Sequence, residues 1–245
     1  MKRSIILSSS VLITLLMSCS SSVQTDNSLS QKEIKDGWKL LFDGKSSEGW
    51  MNALTKTFPS TGWKIKDGTL VSNPETKGES GGGDIVTTGK YKDFEFVVDF
   101  NYTLGANSGI KYFVDTEIND GALRSIGCEY QILDDKNHPD AQAGISGNHK
   151  LACLYDLIPP VNVKDNGPNT WNTARIVVQG NHVRHWLNGQ MTVEYYRGSP
   201  EWKEAVSKSK FKDIPGFGET VEGRILIQDH GSVVAFKNIK MREIK

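Results

Sequence analysis

From Phe94 to Asn101, the residues Phe94, Phe96, Val98 and Phe100 alternate with Glu95, Val97, Asp99 and Asn101. A period of two belongs to a strand with one face in a core and a more polar face opposite. Short runs of similar character recur along the chain in "WKLLFDG", "GWKIKDGTLVSN", "SGIKYFV", "GCEYQIL", "GRILIQDHG" and "VAFKNIKMREI", separated by Gly, Asn and Asp. Together they predict an all-β fold, an antiparallel sandwich of two sheets. In "VVQGNHVRHWLNGQMTV" the pairs Gly180-Asn181 and Asn188-Gly189 fall at hairpin spacing and predict a three-strand meander. Helix is confined to short pieces. The clearest is "SPEWKEAVSKSKF", where Ser199 can cap and Pro200 can take the first helical position. This segment and the long "YDLIPPVNVKDNGPNTWN" read as excursions from the sheets, and long ordered loops on sandwiches often shape a site.

The amino terminus follows a different pattern. Lys2 and Arg3 precede the apolar stretch "IILSSSVLITLLM", which is too short to span a bilayer comfortably and reads as an export signal. It ends in "LLMSCSSS", which resembles the lipobox cleaved ahead of a lipidated cysteine, so residues 1–18 are expected to be removed and Cys19 to carry the lipid. The alternative is an ordinary secretory signal with an incidental cysteine. Residues 19–36 then read as a flexible tether, rich in Ser, Gln and Lys and without an apolar period. Between Ser20 and Lys35 only Asp26 and Glu33 are acidic, whereas lipoprotein surface-export signals carry a dense acidic run. The expectation is therefore attachment to the bacterial outer membrane on its periplasmic face.

Loss of residues 1–18 takes away Lys2 and Arg3 and no acid, leaving 27 basic against 29 acidic residues. No basic field is left to attract nucleic acid. Residues 37–245 suffice for one sizeable core, so a single β-sandwich domain is expected. Beyond Cys19 only Cys128 and Cys153 remain, which excludes a disulfide-dense scaffold and leaves one bridge or two buried free thiols.

Candidate chemistry concentrates in "SIGCEYQILDD". On a strand, Cys128, Tyr130 and Ile132 point one way while Glu129 and Gln131 point the other, setting a carboxylate beside an amide. A retaining glycosidase needs two carboxylates about 5 Å apart. Gln131 stands where a second would be, Leu133 is apolar, and Asp134 and Asp135 come where the strand should be ending. Glu129 is then a lone acid or base, or a solvated or structurally paired charge. In "IQDHG" alternation sets His230 beside Gln228 and opposite Asp229; the imidazole can serve as acid or base, or merely close a turn. His185, in "RHWLNG", is opposite Trp186, and either can face the core. His138 and His149 flank a loop containing Asp140, but no HxH or HExxH spacing occurs, and no metal is assigned. Trp63, Trp171 and Trp202 could stack on sugar rings, although a buried Trp in a sandwich is commoner.

Six motifs in one order, "GWKLLFDGKSSEGW", "NSGIKYF", "GCEYQILDD", "YDLIPP", "WNTARIVVQGNHVRHWLNG" and "IQDHG" followed by "FKNIKMREI", resemble those of the bacterial 3-keto-disaccharide hydrolase domain family. The match runs from about Gly37 to the carboxyl terminus. The resemblance implies a jelly-roll sandwich of the concanavalin A-like lectin and glucanase type, with a carbohydrate cleft on the concave face of one sheet. It also implies a role in sugar catabolism, with a 3-keto-glycoside as substrate, a separate sugar 3-oxidoreductase to make the ketone, and no cofactor. A ketone at C3 acidifies the C2 hydrogen, so one base suffices for elimination of the C1 aglycone, and water then adds back. Within the matching motifs the candidates are Glu129, His230 and His185 for catalysis and Asn107, Lys111, Gln131, Arg175 and Gln228 for substrate binding. The rival readings are a non-catalytic carbohydrate-binding lipoprotein and a conventional glycoside hydrolase.

If Cys19 is the anchor, Cys19→Ala is expected to release the folded domain from the membrane fraction, because each buried lipid methylene contributes about 0.8 kcal/mol to attachment. Retention of that variant in the membrane pellet would refute the anchor.

Overall fold

The computed structural model describes residues 25–72, 81–117 and 125–244. Cys19 and the export signal lie outside them. Among the described residues, two α-helices, α1 (Gln31–Lys35) and α2 (Pro200–Lys208), and a 3-10 turn at Pro139–Gln142 accompany thirteen strands: β1 (Lys39–Leu40), β2 (Trp50–Asn52), β3 (Trp63–Lys66), β4 (Thr69–Ser72), β5 (Ile85–Thr87), β6 (Phe94–Tyr102), β7 (Asn107–Val114), β8 (Cys128–Leu133), β9 (Asn172–Gln179), β10 (His182–Leu187), β11 (Gln190–Tyr196), β12 (Arg224–Ile227) and β13 (Val234–Glu243). They form an antiparallel two-sheet sandwich. One sheet has the order β11-β10-β9-β6-β13-β4-β3, with β1 also paired to β13; the other has the order β2-β5-β12-β7-β8. None of the described helices is long and apolar enough to cross a membrane.

The alternation of β6 is realised as expected. Phe94, Phe96, Val98 and Phe100 are buried between the sheets, where Phe94 meets Tyr112 of β7 edge-on at 6.4 Å. Ile110, Tyr130 and Ile132 complete the facing layer. Truncating one of these phenylalanines to Ala is worth about 3–5 kcal/mol in such a core. The meander β9-β10-β11 follows the two turn pairs, with Asn188 and Gly189 both at positive φ as a tight hairpin requires. Ser199 caps α2, its hydroxyl accepting from Trp202 N at 3.2 Å. Cys128 and Cys153 are both buried and free, so the possible bridge is not made.

The described part of the expected tether belongs to the folded body. Ser30 and Glu33 form a capping box on α1. Asn27 and Asn238 exchange backbone-to-side-chain hydrogen bonds at 2.6 and 2.9 Å, and Asp26 and Glu33 pair with Lys237 and Lys240 of β13. The partners lie more than two hundred residues away in sequence, which is why a polar, aperiodic segment reads as free chain. Asn238 sits at a bulge in β13 at positive φ, and this turns its amide toward the amino-terminal segment.

His185 does not face a cleft. It alternates with Val183 and Leu187 on the core side of β10, fully buried, with Nε2 2.7 Å from the Tyr112 hydroxyl, which also meets the Tyr195 hydroxyl at 2.8 Å. Burial lowers its pKa to about 3. Because this lies below the value near 6.5 of an unfolded histidine, the unfolded chain takes up a proton that the folded one refuses, and stability falls as the pH drops from about 6.5 toward 3. Urea unfolding at pH 7, 6 and 5 is expected to show a loss of up to about 1.4 kcal/mol per pH unit that His185→Gln lacks. Equal slopes in the two proteins would contradict a buried neutral imidazole.

Candidate functional site

Strands β7 and β8 pair so that Lys111 lies opposite Glu129 and Gly109 opposite Gln131. Ile110, Tyr112, Tyr130 and Ile132 face the core, so alternation turns Asn107, Gly109, Lys111, Glu129 and Gln131 to the other face of the five-stranded sheet. Next to β7, β12 leads into Gln228, whose backbone N donates to Gly109 O at 2.9 Å. A cavity of about 80 Å³ opens here, lined by Asn107, Lys111, Ile126, Gly127, Glu129, Gln131, Tyr155, Lys210, Phe211, Gln228 and His230. Six of the eight candidates for catalysis and substrate binding are thus gathered in one pocket. The other two, His185 and Arg175, are placed elsewhere: His185 in the core, and Arg175 on the outer face of the eight-stranded sheet, bonded to Glu95 at 2.5 Å with its guanidinium 4.2 Å from the Trp186 ring centroid. Arg175 was a candidate only through its motif, and nothing in that motif says which of the two outer faces carries the pocket.

Glycine at 109 gives Glu129 its position. A Cβ added there would stand 2.1 Å from Glu129 Oε1, so the carboxyl lies across the bare backbone of its neighbour strand. Glu129 is buried, and that burial raises its pKa above the usual carboxylate value, with Lys111 and then Lys210 pulling the other way. Lys111 Nζ also lies 3.8 Å from Asp84 Oδ2. Asp84 is raised by burial as well, partly offset by Lys111. The lysine therefore offsets the burial of two carboxyls, Glu129 in the pocket lining and the half-buried Asp84 outside it. Asp229, which alternation sets opposite His230, accepts from Gly82 N and Gly83 N at 3.1 and 3.2 Å and donates its own N to Asp84 Oδ1 at 3.0 Å. This holds the turn on which His230 stands exposed at the pocket. Gln131 Nε2 donates to Asn107 Oδ1 at 3.2 Å, fixing both amides.

The two excursions form the rest of the wall. The loop after β8 runs back along that strand, with Ala152 N donating to Gln131 O at 2.9 Å and Tyr155 N to Glu129 O at 3.0 Å. His149 braces it, with Nδ1 2.9 Å from Asp140 and Nε2 3.0 Å from Asp156, while the Tyr155 hydroxyl donates to Asp140 at 3.1 Å. Beyond α2, Lys210 sits over the Tyr155 ring at 4.3 Å. His138 accepts a bond from Asp140 N, and no described group of three or more His, Cys, Asp or Glu side chains is arranged to hold a metal ion. Asp134 and Asp135 end the strand structurally, accepting from Gly105 N and Leu151 N. Trp63 and Trp202 are buried, and Trp171 packs under Lys237; none of the three lines this pocket. The aromatic walls are instead Tyr155 and Phe211, from the two segments expected to be excursions from the sheets.

With this geometry established, comparison with known proteins gives a family. The model for the 3-keto-alpha-glucoside-1,2-lyase-like domain matches residues 37–242. The chain belongs to that family. A 3-keto-disaccharide hydrolase of Bacteroides thetaiotaomicron is 37% identical over 230 residues, covering 84% of this chain and 78% of the relative. The crystal structure of a candidate glycosyl hydrolase from Parabacteroides distasonis ATCC 8503 superposes with a TM-score of 0.78 at 31% identity, covering 90% of this chain and 100% of the other. A second from the same organism gives 0.60 at 26% identity, covering 84% and 99%. The 3-keto-alpha-glucoside-1,2-lyase-like domain thus accounts for both the sandwich and the order of the motifs.

Gly109→Ala tests the seating of the carboxyl. The clash falls on the far end of a flexible side chain, so the domain is expected to fold while Glu129 swings toward solvent. Carbon-13 NMR titration should find Glu129 above about 4.3 in the wild type and closer to that ordinary value in the variant. An unchanged titration would show that Gly109 does not set its environment.

Proposed function

We propose that this domain cleaves 3-keto-glycosides by removing the C2 proton, eliminating the C1 aglycone and adding water across the resulting double bond. The observation that carries this reading is the pocket's acid–base set: one buried carboxyl with a raised pKa, a lysine opposite it and an exposed imidazole, with no second carboxylate among the described lining residues. Displacement at C1 by a retaining enzyme requires a nucleophile and an acid about 5 Å apart. Elimination next to a ketone requires a base, donors for the enolate oxygen and an acid for the leaving group.

Each role has a suitable residue. Glu129, shielded and raised toward the working pH, takes the C2 proton. Lys111, on the neighbouring strand, stabilises negative charge on the C3 oxygen as the C2 electrons move toward C1. The C1–O bond then breaks, and His230, exposed at the pocket, delivers a proton to the departing aglycone oxygen. Water then gives its hydroxyl to C1 and its remaining proton to His230, while Glu129 returns the proton to C2; both groups are restored and the 3-keto-sugar is released. Asn107, Gln131 and Gln228 bind hydroxyls. The ketone has to be installed beforehand by a sugar 3-oxidoreductase, and the export signal with Cys19 supports action from a lipid anchor on the periplasmic face of the outer membrane.

A panel of a 3-keto-glucoside and its unoxidised parent tests the reaction class. Wild type is expected to turn over only the ketone and, in deuterium oxide, to exchange the C2 hydrogen. In Glu129→Gln the ketone should still bind while turnover falls by about 10²–10⁴-fold and C2 exchange disappears. Turnover of the parent alone would defeat the proposal. Exchange retained with release lost would move Glu129 to the leaving-group role, and binding without turnover in the wild type would favour a binding module.

A further inference from the structure

The docked amino-terminal segment and the pocket lie on opposite faces of the sandwich. In β6 the phenylalanines point into the core, so Glu95, Val97 and Asp99 mark the outer face of the eight-stranded sheet. Asn238, which exchanges bonds with Asn27, also donates through Nδ2 to Asp99 at 2.7 Å. Lys240, opposite Val97 in the register, pairs with Glu33 of α1 and lies 5.8 Å from the Trp38 ring centroid; Arg242, bonded to Glu95, lies 5.2 Å from the same ring. Residues 26–38 therefore rest on this outer face, whereas Glu129 and Lys111 stand on the outer face of the five-stranded sheet, with the core between.

This placement shortens the leash to any lipid on Cys19. From Cys19 to Thr25, the first described residue, the chain takes six residue steps, which span at most about 20 Å. A tether running free to residue 36 would span about three times as much. Asp26 is held to Lys237 at 2.7 Å, so the leash starts at β13. From there the nearer edge of the sheet lies beyond β4 and β3, about 5 Å each, and the opposite face about 10 Å further across the sandwich, before the side chains of both outer faces are counted. The leash therefore does not reach round to the pocket side. α1 also offers a surface suited to lipid headgroups, with Ile34 54% exposed and Lys32 and Lys35 exposed to either side of it, beside one exposed acid, Asp36.

We infer that the docked segment sets which way the anchored domain faces: α1 and the outer face of the eight-stranded sheet lie against the bilayer that holds Cys19, and the Glu129 pocket opens away from it. The inference rests on reading Cys19 as a lipid anchor. Its consequence for the proposed reaction is that the substrates are glycosides in solution, since a sugar headgroup in the same bilayer lies on the wrong side of the sandwich. The arrangement also gives a use to a polar segment that lines no part of the pocket and yet is fastened by a capping box, two asparagines and two ion pairs.

The test uses the full chain, extracted from membranes and reconstituted in vesicles of phosphatidylethanolamine and phosphatidylglycerol doped with a lipid that carries a nitroxide on its headgroup. Cys128 and Cys153 are buried, so a maleimide fluorophore reports on one introduced thiol at a time, Lys35→Cys on α1 or Lys210→Cys at the pocket. The nitroxide is expected to quench the label at position 35 at least about threefold more than the label at position 210, which sits beyond two sheets about 10 Å apart. Asp26→Ala with Asn27→Ala, which undocks the segment, should at least halve that ratio. A roughly twenty-residue Gly-Ser insertion after Ser22, which lengthens the leash and leaves the fold alone, should do the same. Equal quenching at the two positions, stronger quenching at position 210, or a ratio that neither change lowers would overturn the orientation. Mass spectrometry of the same sample separates the two readings: equal quenching of protein with a lipid on Cys19 counts against the orientation only, whereas Cys19 without lipid refutes the anchor and the orientation with it.

Discussion

The pairing of β7 with β8 is the constraint on which the rest of the molecule depends. Its register sets Lys111 against Glu129 and Gly109 against Gln131 on one face, while the same alternation sends Ile110, Tyr112, Tyr130 and Ile132 into the core. A slip of one residue would exchange the faces, burying a lysine and a glutamate between the sheets and exposing two tyrosines. Many apolar side chains therefore enforce the register, and the polar pocket inherits its geometry from the packing behind it. This is how a site built from long, flexible side chains acquires a fixed arrangement: the packed core behind the strand pair holds it.

The same logic explains what could be read from the sequence. The sandwich, the meander and the α2 cap follow from periods and turn residues that act over a few positions, and the structure has them where the pattern places them. Glu129, Gln131, Lys111 and Gln228 were legible because each sits on, or directly after, a strand whose apolar neighbours declare the core side. His185 and Arg175 mark the limit of that reasoning. Alternation on β10 left His185 or Trp186 equally able to face inward, and only the Tyr112 and Tyr195 hydroxyls of other strands decide it. Arg175 was a candidate only through its motif, and the pocket lies on the opposite sheet.

Other elements depend on contacts across the chain that have no local signal. Asp84 follows three glycines and precedes a short strand; nothing nearby shows that Lys111 and the backbone of Asp229 will meet it. Tyr155 and Phe211 lie in excursions that no local pattern directs to the site, and they reach it because backbone bonds to β8 and the His149 brace fold one loop back and α2 delivers the other. The docked segment from Asp26 to Lys35 is the clearest case: its polar composition suits a tether, and its order comes from Asn238 and two lysines near the carboxyl terminus.

Burial of Glu129 works against stability and in favour of proton transfer. Its raised pKa means that ionisation costs folding free energy as the pH rises through the folded-state value, whereas below the ordinary carboxylate range that cost is absent. A glutamine would avoid it, and the adjacent position does carry one. Keeping a carboxyl here is understandable if its basicity is used, since a base poised closer to working pH takes a carbon-bound proton more readily than a solvated carboxylate with an ordinary pKa. Lys111, opposite Glu129 in the strand register and 3.8 Å from Asp84, offsets part of the cost at both carboxyls. A tight one-to-one ion pair would have lowered the pKa of Glu129 and weakened it as a base. Asp84 outside the pocket is thus as much a part of the arrangement as the residues that line it.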